Sequence, residues 1–476
     1  MKKRYDCIIV GAGPMGIHCA YELMKKAPDL TVLLVDRGND IYNRRCPILL
    51  KKTDKCPTNS SGISGCHPAC SITTGFGGAG AYSDGKYNIT NEFGGWMGEY
   101  VDSEVLLDLI NYVDQVNLEH GADTEITDPT TETVKAIEKK AIGAGLKLLR
   151  AKVRHLGTEK NLKIMENIYE AMKGKIDYLF RTKVVNVIVE ADKVVGIELE
   201  NGEKIFAETV VLGVGREGAI WLQKTLESHN IKFTNNQVDI GVRVETNNIV
   251  MEDINKHLYE GKFIYNTSVG TTVRTFCSNP SGYVVVENQD GVILCNGHAY
   301  SDEKLGTENT NFALLVSHEF DEPFNNPNQF AYEVAKLANK LAGGTVIVQR
   351  YGDILKGRRS TAKRIKESFV TPTLKEAIPG DLGLVLPYNT MKSIIEMMQA
   401  LNHVTPGIAS DHTLFYGVEA KFYSARPEVN SNFETKIKNL YVGGDGAGIT
   451  RGLSQAAANG VWIARNIIKK MQQKGD

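Results

Sequence analysis

The chain has 476 residues, with 55 Lys and Arg against 56 Asp and Glu and a formal net charge of −1. That length supports two or three domains around a thick core, and the balanced charge provides no global field for a polyanion, so no nucleic-acid partner is expected. No apolar run approaches the roughly 20 residues that cross a bilayer, so no membrane span is expected either. Two excesses stand out instead: 46 glycines, which are clustered, and eight cysteines, four of them between Cys46 and Cys70.

Lys2, Lys3 and Arg4 ahead of Cys7 to Val10 imitate the charged and apolar regions of an export signal, but Asp6 interrupts the apolar stretch and glycines and Glu22 follow. The expected elements are a buried strand over 5–10, a glycine turn and a helix to about Lys26. A cytoplasmic location is therefore expected, where cysteines are reduced and serve as thiols, metal ligands or redox groups before structural disulfides.

The turn reads Gly11-Ala12-Gly13-Pro14-Met15-Gly16. In such a hexad the first glycine allows the tight turn, the second lets backbone approach a diphosphate, and the third lets the helix pack closely on the sheet. Free N–H groups at the helix N-terminus then receive the phosphates. A β-branched and leucine run over 31–35 ends at Asp36-Arg37, twenty residues past Gly16, where a carboxylate grips ribose hydroxyls. Strand, hexad, helix, strand and acid together predict a dinucleotide site. The hexad recurs at Gly75 to Gly80 without a convincing preceding strand, and at Gly213-Val214-Gly215-Arg216-Glu217-Gly218 without a following strand and acid. One dinucleotide fold is expected, and no separate nicotinamide module.

Cys46, Cys56, Cys66 and Cys70 lie in a segment without hydrophobic periodicity. Four thiolates can hold an iron–sulfur cluster or a zinc ion, with His67 able to replace one ligand, yet the spacing matches no standard ferredoxin or zinc-ribbon pattern. Free thiols and a redox dithiol at Cys66 and Cys70 stay open beside metal binding. Cys7 and Cys19 read as core fillers. Further on, a basic helix is expected around 135–155. Segments 183–190, 193–200 and 204–207 then form a β-meander in which Asn201-Gly202 signals a tight turn, and 209–212 re-enters the sheet.

From 235 to about 410 strands over 239–245, 282–287 and 292–295 and helices over 329–341 and 391–401 predict a mixed α+β substrate domain inserted into the first. His298, in Asn296-Gly297-His298, and Tyr300 are candidate proton donors. The run from Lys356 to Lys366 holds six basic residues and no acid; it reads either as a solvated helix start or as an anion site with Arg358 as clamp. Late in the chain, Gly443-Gly444-Asp445-Gly446-Ala447-Gly448 and Gly452-Leu453-Ser454 lead into a helix rich in small residues.

That late element resembles the glycine–aspartate segment of glutathione-reductase-type flavoproteins. The resemblance implies FAD as cofactor, a ribityl contact for Asp445 and a helix N-terminus beyond Gly452 facing the flavin; the position matching the adenine contact is near Val184. The segment Gly77-Gly78-Ala79-Gly80-Ala81-Tyr82-Ser83-Asp84-Gly85-Lys86 is similar to the hallmark of a bacterial family of uncharacterised FAD-dependent dehydrogenases. Similarity continues through His155-Leu156-Gly157-Thr158, Arg274 to Cys277, Asn296 to His298, Asn311 to Leu315 and Gly357 to Ser360. It implies an α/β, Rossmann-type FAD-binding domain interrupted by the substrate domain, with Gly77, Gly78, Ala79 and Ser83 along the flavin and Lys86 close by.

The expected division is 1–95, 155–234 and 411–476 for the FAD-binding domain, a helical segment over 96–154, and the substrate domain over 235–410. The expected activity is that of an FAD-dependent oxidoreductase on a small organic molecule, whose anionic form the basic run would suit. NAD(P)H, ferredoxin or another electron carrier would recharge the flavin. The alternatives are an iron–sulfur-assisted electron-transfer protein, a cysteine-based redox sensor and, against the charge balance, an RNA-modifying flavoprotein.

Overall fold

The computed structural model describes residues 2–47, 50, 52, 66, 69–83, 85–258, 261–289, 291–299 and 303–475, arranged as a mixed α/β fold of two compact units. Unit one comprises 1–127, 151–234 and 424–476, and unit two comprises 128–150 and 235–423.

In unit one, β1 (Arg4–Val10) leads through the first glycine turn into α1 (Pro14–Lys26) and β2 (Val32–Val35). β1 and β2 are buried at nearly every position, as strands covered on both faces must be. They pair in parallel, Cys7 opposite Val32 through Val10 opposite Val35. The meander supplies β4 (Val184–Glu190), β5 (Lys193–Leu199) and β6 (Lys204–Leu212), and β3 (Asp177–Leu179) precedes it. The sheet order is β3-β2-β1-β6-β5-β4, with β7 (Leu440–Val442) also on β6. β6 is shared lengthwise: its first half pairs antiparallel with β5, and Val210 to Leu212 pair in parallel with β7. The final helix, α2 (Leu453–Gly475), packs on α1 so closely that a Cβ on Gly460 would lie 2.0 Å from the Met15 carbonyl oxygen.

Unit two is built on an eight-stranded sheet in the order Ile378–Pro379, Ile347–Arg350, Leu414–Lys421, Val238–Asn247, Asn309–His318, Thr272–Asn279, Lys262–Asn266, Leu146–Leu149. The central strand Val238–Asn247 carries both kinds of core on its two faces. Val238, Ile240, Val242 and Val244 are apolar and fully buried, in one cluster with Ile394, Met397 and Leu401 of the Tyr388–Val404 helix. The alternate positions Asp239, Arg243 and Glu245 are just as buried. Arg243 donates through Nε to Asn311 Oδ1 at 3.0 Å and faces Glu419, 3.4 Å away, which also pairs with Lys421. Glu245 accepts from the Thr373 and Tyr416 hydroxyls and the Asn309 amide. The Tyr283–Gln289 and Val292–His298 hairpin reaches this polar layer at Gly297, where a Cβ would stand 2.0 Å from Arg243 Nη2. That glycine is thus required for packing against the guanidinium.

Three expectations change. The boundary at 410 gives way to 423, because Leu414–Lys421 pairs with Val238–Asn247 in unit two. The helical segment 96–154 divides between the units and includes strands. The basic helix around 135–155 stops at Gly143, and Leu146–Leu149 and Lys152–His155 are extended. Both excursions of the chain into unit two leave and return through paired backbone: Thr127 bridges Val153, and Phe233–Thr234 pairs with Arg426–Pro427.

Removing Arg243 leaves Glu419 buried with Lys421 alone, a loss of about 3–5 kcal/mol. Urea denaturation of Arg243→Met should show that deficit, and adding Glu419→Gln should recover part of it.

Candidate functional site

The carboxyl ends of three neighbouring strands in unit one all continue into glycine. Gly11 follows β1 and donates its N–H to Val35 O at 2.8 Å; Gly213 follows β6 and donates to Val10 O at 2.8 Å; Gly443 follows β7 and donates to Leu212 O at 3.1 Å. Each glycine closes the ladder of its neighbour and leaves no side chain over the strand ends. A Cβ on Gly11 would lie 2.3 Å from Gly213 O, and one on Gly16 would lie 1.9 Å from Gly11 O. Gly13, Gly215 and Gly452 are different: nothing lies within 4 Å of a Cβ built on them. Tight glycines seal this edge against the fold, and open ones leave room for a ligand backbone to approach.

Gly13 is the N-cap of α1, with no side-chain cap, Pro14 at the first helical position and no acid in the first turn. The uncapped amides are left for an anion. Met15 is 3% exposed, and its side chain packs beneath Gly213, Gly443 and Gly444, so only its amide faces the turn. Asp36, also buried, accepts the Ala12 N–H at 2.8 Å and the Gly38 N–H at 2.7 Å. Burial pushes its carboxyl up, and these two bonds oppose the shift. Arg37 is held by Glu217 at 2.5 Å. The Val184 side chain lies in the core at the start of β4, opposite Leu199.

The second hexad folds onto the first. Gly77 donates to Ala12 O at 2.8 Å, and the segment continues as a short 3-10 helix, Gly78–Tyr82, in which Ala79 is exposed. Gly80 is wedged between Pro14 of α1 and Leu453 of α2, with a would-be Cβ 3.1 and 2.7 Å from them. Ser83 Oγ donates to Gly80 O at 2.7 Å, and Lys86 opens the Lys86–Ile89 strand opposite His155. On the far side Asp445 accepts from the Thr450 hydroxyl at 2.7 Å, and burial pushes its carboxyl up. Gly444 donates to Asn459 Oδ1 at 2.9 Å. No acid occupies the first turn of α2, where Leu453 is half-buried and Ser454 buried. The fold therefore brings the four glycine clusters, Asp36 and Asp445 to one edge of unit one.

Several residues of this edge gave no sequence signal. Arg44 is buried beneath the second hexad and bonded to three carbonyls. Asn161 donates to Gly80 O at 2.7 Å and accepts from the Tyr87 hydroxyl at 3.2 Å. It shares the buried stripe of the Thr158–Met172 helix with Ile164, Met165 and Ile168, and an amide in an apolar stripe was the available clue. Asn459 is likewise a buried amide in α2, with Nδ2 left unbonded.

Other sequence candidates are placed elsewhere or lie outside the described residues. His298 is exposed at the end of the Val292–His298 strand in unit two; Tyr300 falls outside the described residues. Arg358, also in unit two, donates through Nε to Asp353 Oδ1 at 2.7 Å. Asp353 is buried and further accepts from Ser360 at 2.7 Å and Arg364 at 3.0 Å. The basic run is thus partly neutralised by one carboxylate, and Lys356 pairs with Asp411. Cys46, Cys66 and Cys70 are free and half-buried, while Cys56 and His67 fall outside the described residues. Among the described residues no three His, Cys, Asp or Glu side chains gather as metal ligands, and no helix is long and apolar enough to cross a membrane. Cys277 is exposed at a positive φ of 40°, and Cys295 is buried with its thiol pushed well up by burial.

Residues 237–422 match the family model described as "FAD-dependent protein, C-terminal domain-like", and residues 372–475 match that of glucose inhibited division protein A. An uncharacterized protein of Clostridium beijerinckii is 26% identical over 489 residues, covering 97% of this chain and 80% of that protein. Among solved structures, formate oxidase is similar at 12% identity and a TM-score of 0.46 over 99% of both chains. L-proline dehydrogenase from P. horikoshii is similar at 11% identity and a TM-score of 0.38, over 99% of this chain and 95% of that one. These two matches make residues 237–422 similar to FAD-dependent proteins and residues 372–475 similar to glucose inhibited division protein A.

Gly13→Ala and Gly16→Ala should separate cofactor space from folding space. Gly13→Ala should melt like the wild type yet retain less FAD after gel filtration, whereas Gly16→Ala should lower the melting temperature itself. For Asp353, burial raises the carboxyl, but the bonds from Ser360, Arg358 and Arg364 outweigh it and hold the group below its usual range. Its stabilisation is complete above the unfolded-state pKa and disappears as pH falls through the lower folded-state value. Asp353→Asn should therefore flatten the acid limb of melting temperature against pH.

Proposed function

We propose that the protein is an FAD-dependent oxidoreductase that moves a hydride or electron pair between flavin N5 and a small organic substrate, as a dehydrogenase or a C=C reductase. One observation carries the reading. Three adjacent strand ends, each finished in glycine, meet two helix N-termini whose first turns hold no acid, with open space at Gly13, Gly215 and Gly452. This donor set suits an elongated dianionic dinucleotide.

When bound, FAD supplies the two-electron chemistry. The Gly11 to Gly16 turn binds the diphosphate through backbone N–H groups at the start of α1. Asp36 keeps lone pairs for ribose hydroxyls, because each of its oxygens accepts one amide. Asp445, oriented by Thr450, takes the ribityl hydroxyls, and the amides from Leu453 onward present the positive end of α2 to the ring. Gly77, Gly78, Ala79 and Ser83 line the other side. Lys86, His298 and Tyr300 are the proposed proton-handling groups, and the outer nitrogens of Arg358 would hold an anionic substrate. Transient NAD(P)H, or a ferredoxin-like carrier, would recharge the cofactor.

Protein purified anaerobically and supplemented with FAD should show the two visible bands of oxidised flavin, bleached by dithionite. Failure of the supplemented wild type to bind flavin overturns the reading. A panel of NADH, NADPH, reduced ferredoxin and unsaturated acids should identify the physiological donor and acceptor by flavin reduction or reoxidation. With that pair in hand, His298→Gln should lower turnover by roughly 10²-fold or more while flavin content stays constant.

A further inference from the structure

Arg44 is a buried cation bonded, among the described residues, to neutral groups only. It is 2% exposed, and Nε, Nη1 and Nη2 donate to the carbonyl oxygens of Ser71, Phe76 and Ile72 at 3.0, 2.6 and 2.7 Å. The guanidinium lies over the Tyr82 ring, 5.0 Å from its centroid, and the Tyr82 hydroxyl donates to the Arg44 carbonyl. Among the described residues no carboxylate is bonded to it. Such a group has given up hydration without gaining an ion pair, and burial pushes its pKa down to about 10.

The position of this charge gives it a task. The Phe76 carbonyl that accepts from Nη1 shares a peptide unit with the Gly77 N–H, which donates to Ala12 O at 2.8 Å. The Ala12 carbonyl in turn shares a peptide unit with the Gly13 N–H, at the uncapped start of α1, which has no acceptor among the described residues. Two peptide dipoles thus stand head to tail between the guanidinium and the Gly13 amide, and hydrogen bonds in such a chain strengthen one another. The layer between is one backbone thick: a Cβ on Gly77 would lie 3.5 Å from Arg44 Nη1, and one on Gly78 would lie 3.0 Å from Gly13 Cα. Arg37, the neighbouring cation, is already occupied by Glu217.

We propose that Arg44 is a positioning residue for an anionic diphosphate at the Gly13 amide, fixing the second hexad against the first and polarising the amide through the Phe76–Gly77 peptide. The identity of that diphosphate as part of FAD rests on the function proposed above. Asp36 acts on Arg44 through space without being bonded to it, and an anion at Gly13 adds to that counter-charge, so loss of Arg44 should be felt by diphosphates and hardly by the uncharged nucleoside.

The test is binding of FAD, ADP and adenosine to the full chain, by calorimetry or by competition, for the wild type, Arg44→Gln and Arg44→Lys. Arg44→Gln removes the charge and keeps a donor; it should weaken FAD and ADP by roughly tenfold, with adenosine changed by less than about twofold. Arg44→Lys keeps the charge with poorer geometry and should restore most of the preference for ADP over adenosine. Circular dichroism melts identify any variant that is unfolded, and the Lys variant then carries the comparison. Unchanged ADP affinity in a folded Arg44→Gln protein, or equal losses for ADP and adenosine, overturns the proposal and leaves Arg44 a structural clamp. A wild type that binds ADP in this Arg44-dependent way but not FAD overturns the flavin reading alone. A wild type that binds neither overturns both.

Discussion

Backbone meeting backbone without side chains at the ends of β1, β6 and β7 is the constraint on which unit one depends. Gly11, Gly213 and Gly443 each complete the hydrogen bonding of the neighbouring strand. Gly16 and Gly460 then let α1 sit against the turn and α2 against α1. A methyl group at Gly11, Gly16 or Gly460 would push strand, turn and helices apart, since its Cβ would lie 1.9–2.3 Å from a backbone oxygen and leave no room for adjustment. The same closeness creates the edge at which, among the described residues, the Gly13 amide has no acceptor. The glycines therefore do two jobs by one means, sealing the interior and exposing the main chain.

Buried charge is held in two ways. In unit one the buried ionic groups near the edge are bonded to peptide groups: Asp36 to two amides, Arg44 to three carbonyls. In unit two Glu419 meets Arg243 and Lys421, and Asp353 meets Arg358 and Arg364, while Glu245 is held by hydroxyls and an amide. The first arrangement holds charge in place through peptide groups. The second cancels it and orders a polar layer inside a sheet.

The β1–α1–β2 unit, the meander and the late glycine segment were legible in the sequence because their physics is local: β-branched runs, periodicity, and glycine where φ is positive, as at Gly11 and Gly444. What escaped was set by contacts distant along the chain. Leu414–Lys421 looks like any alternating strand, and only its pairing with Val238–Asn247 assigns it to unit two. Arg44 sits in an irregular segment beside a second arginine, and nothing local distinguishes the one that turns inward. Around Arg358 six basic residues within eleven left both a solvated helix start and an anion site open, and the sequence did not show that Asp353, just ahead of the run, binds two of them.

The paired exits from unit one bear on how much chain can be added between them. The backbone that departs at Thr127 returns at Val153 alongside it, and the backbone that departs at Phe233–Thr234 returns at Arg426–Pro427 in register. Each excursion is closed at its base like a hairpin whose loop happens to be large, and the entropy of closing a loop grows only slowly with its length. To unit one, the long second excursion therefore weighs little more than a short turn would. What hangs from those two clamps could be lengthened or shortened with the glycine edge left intact.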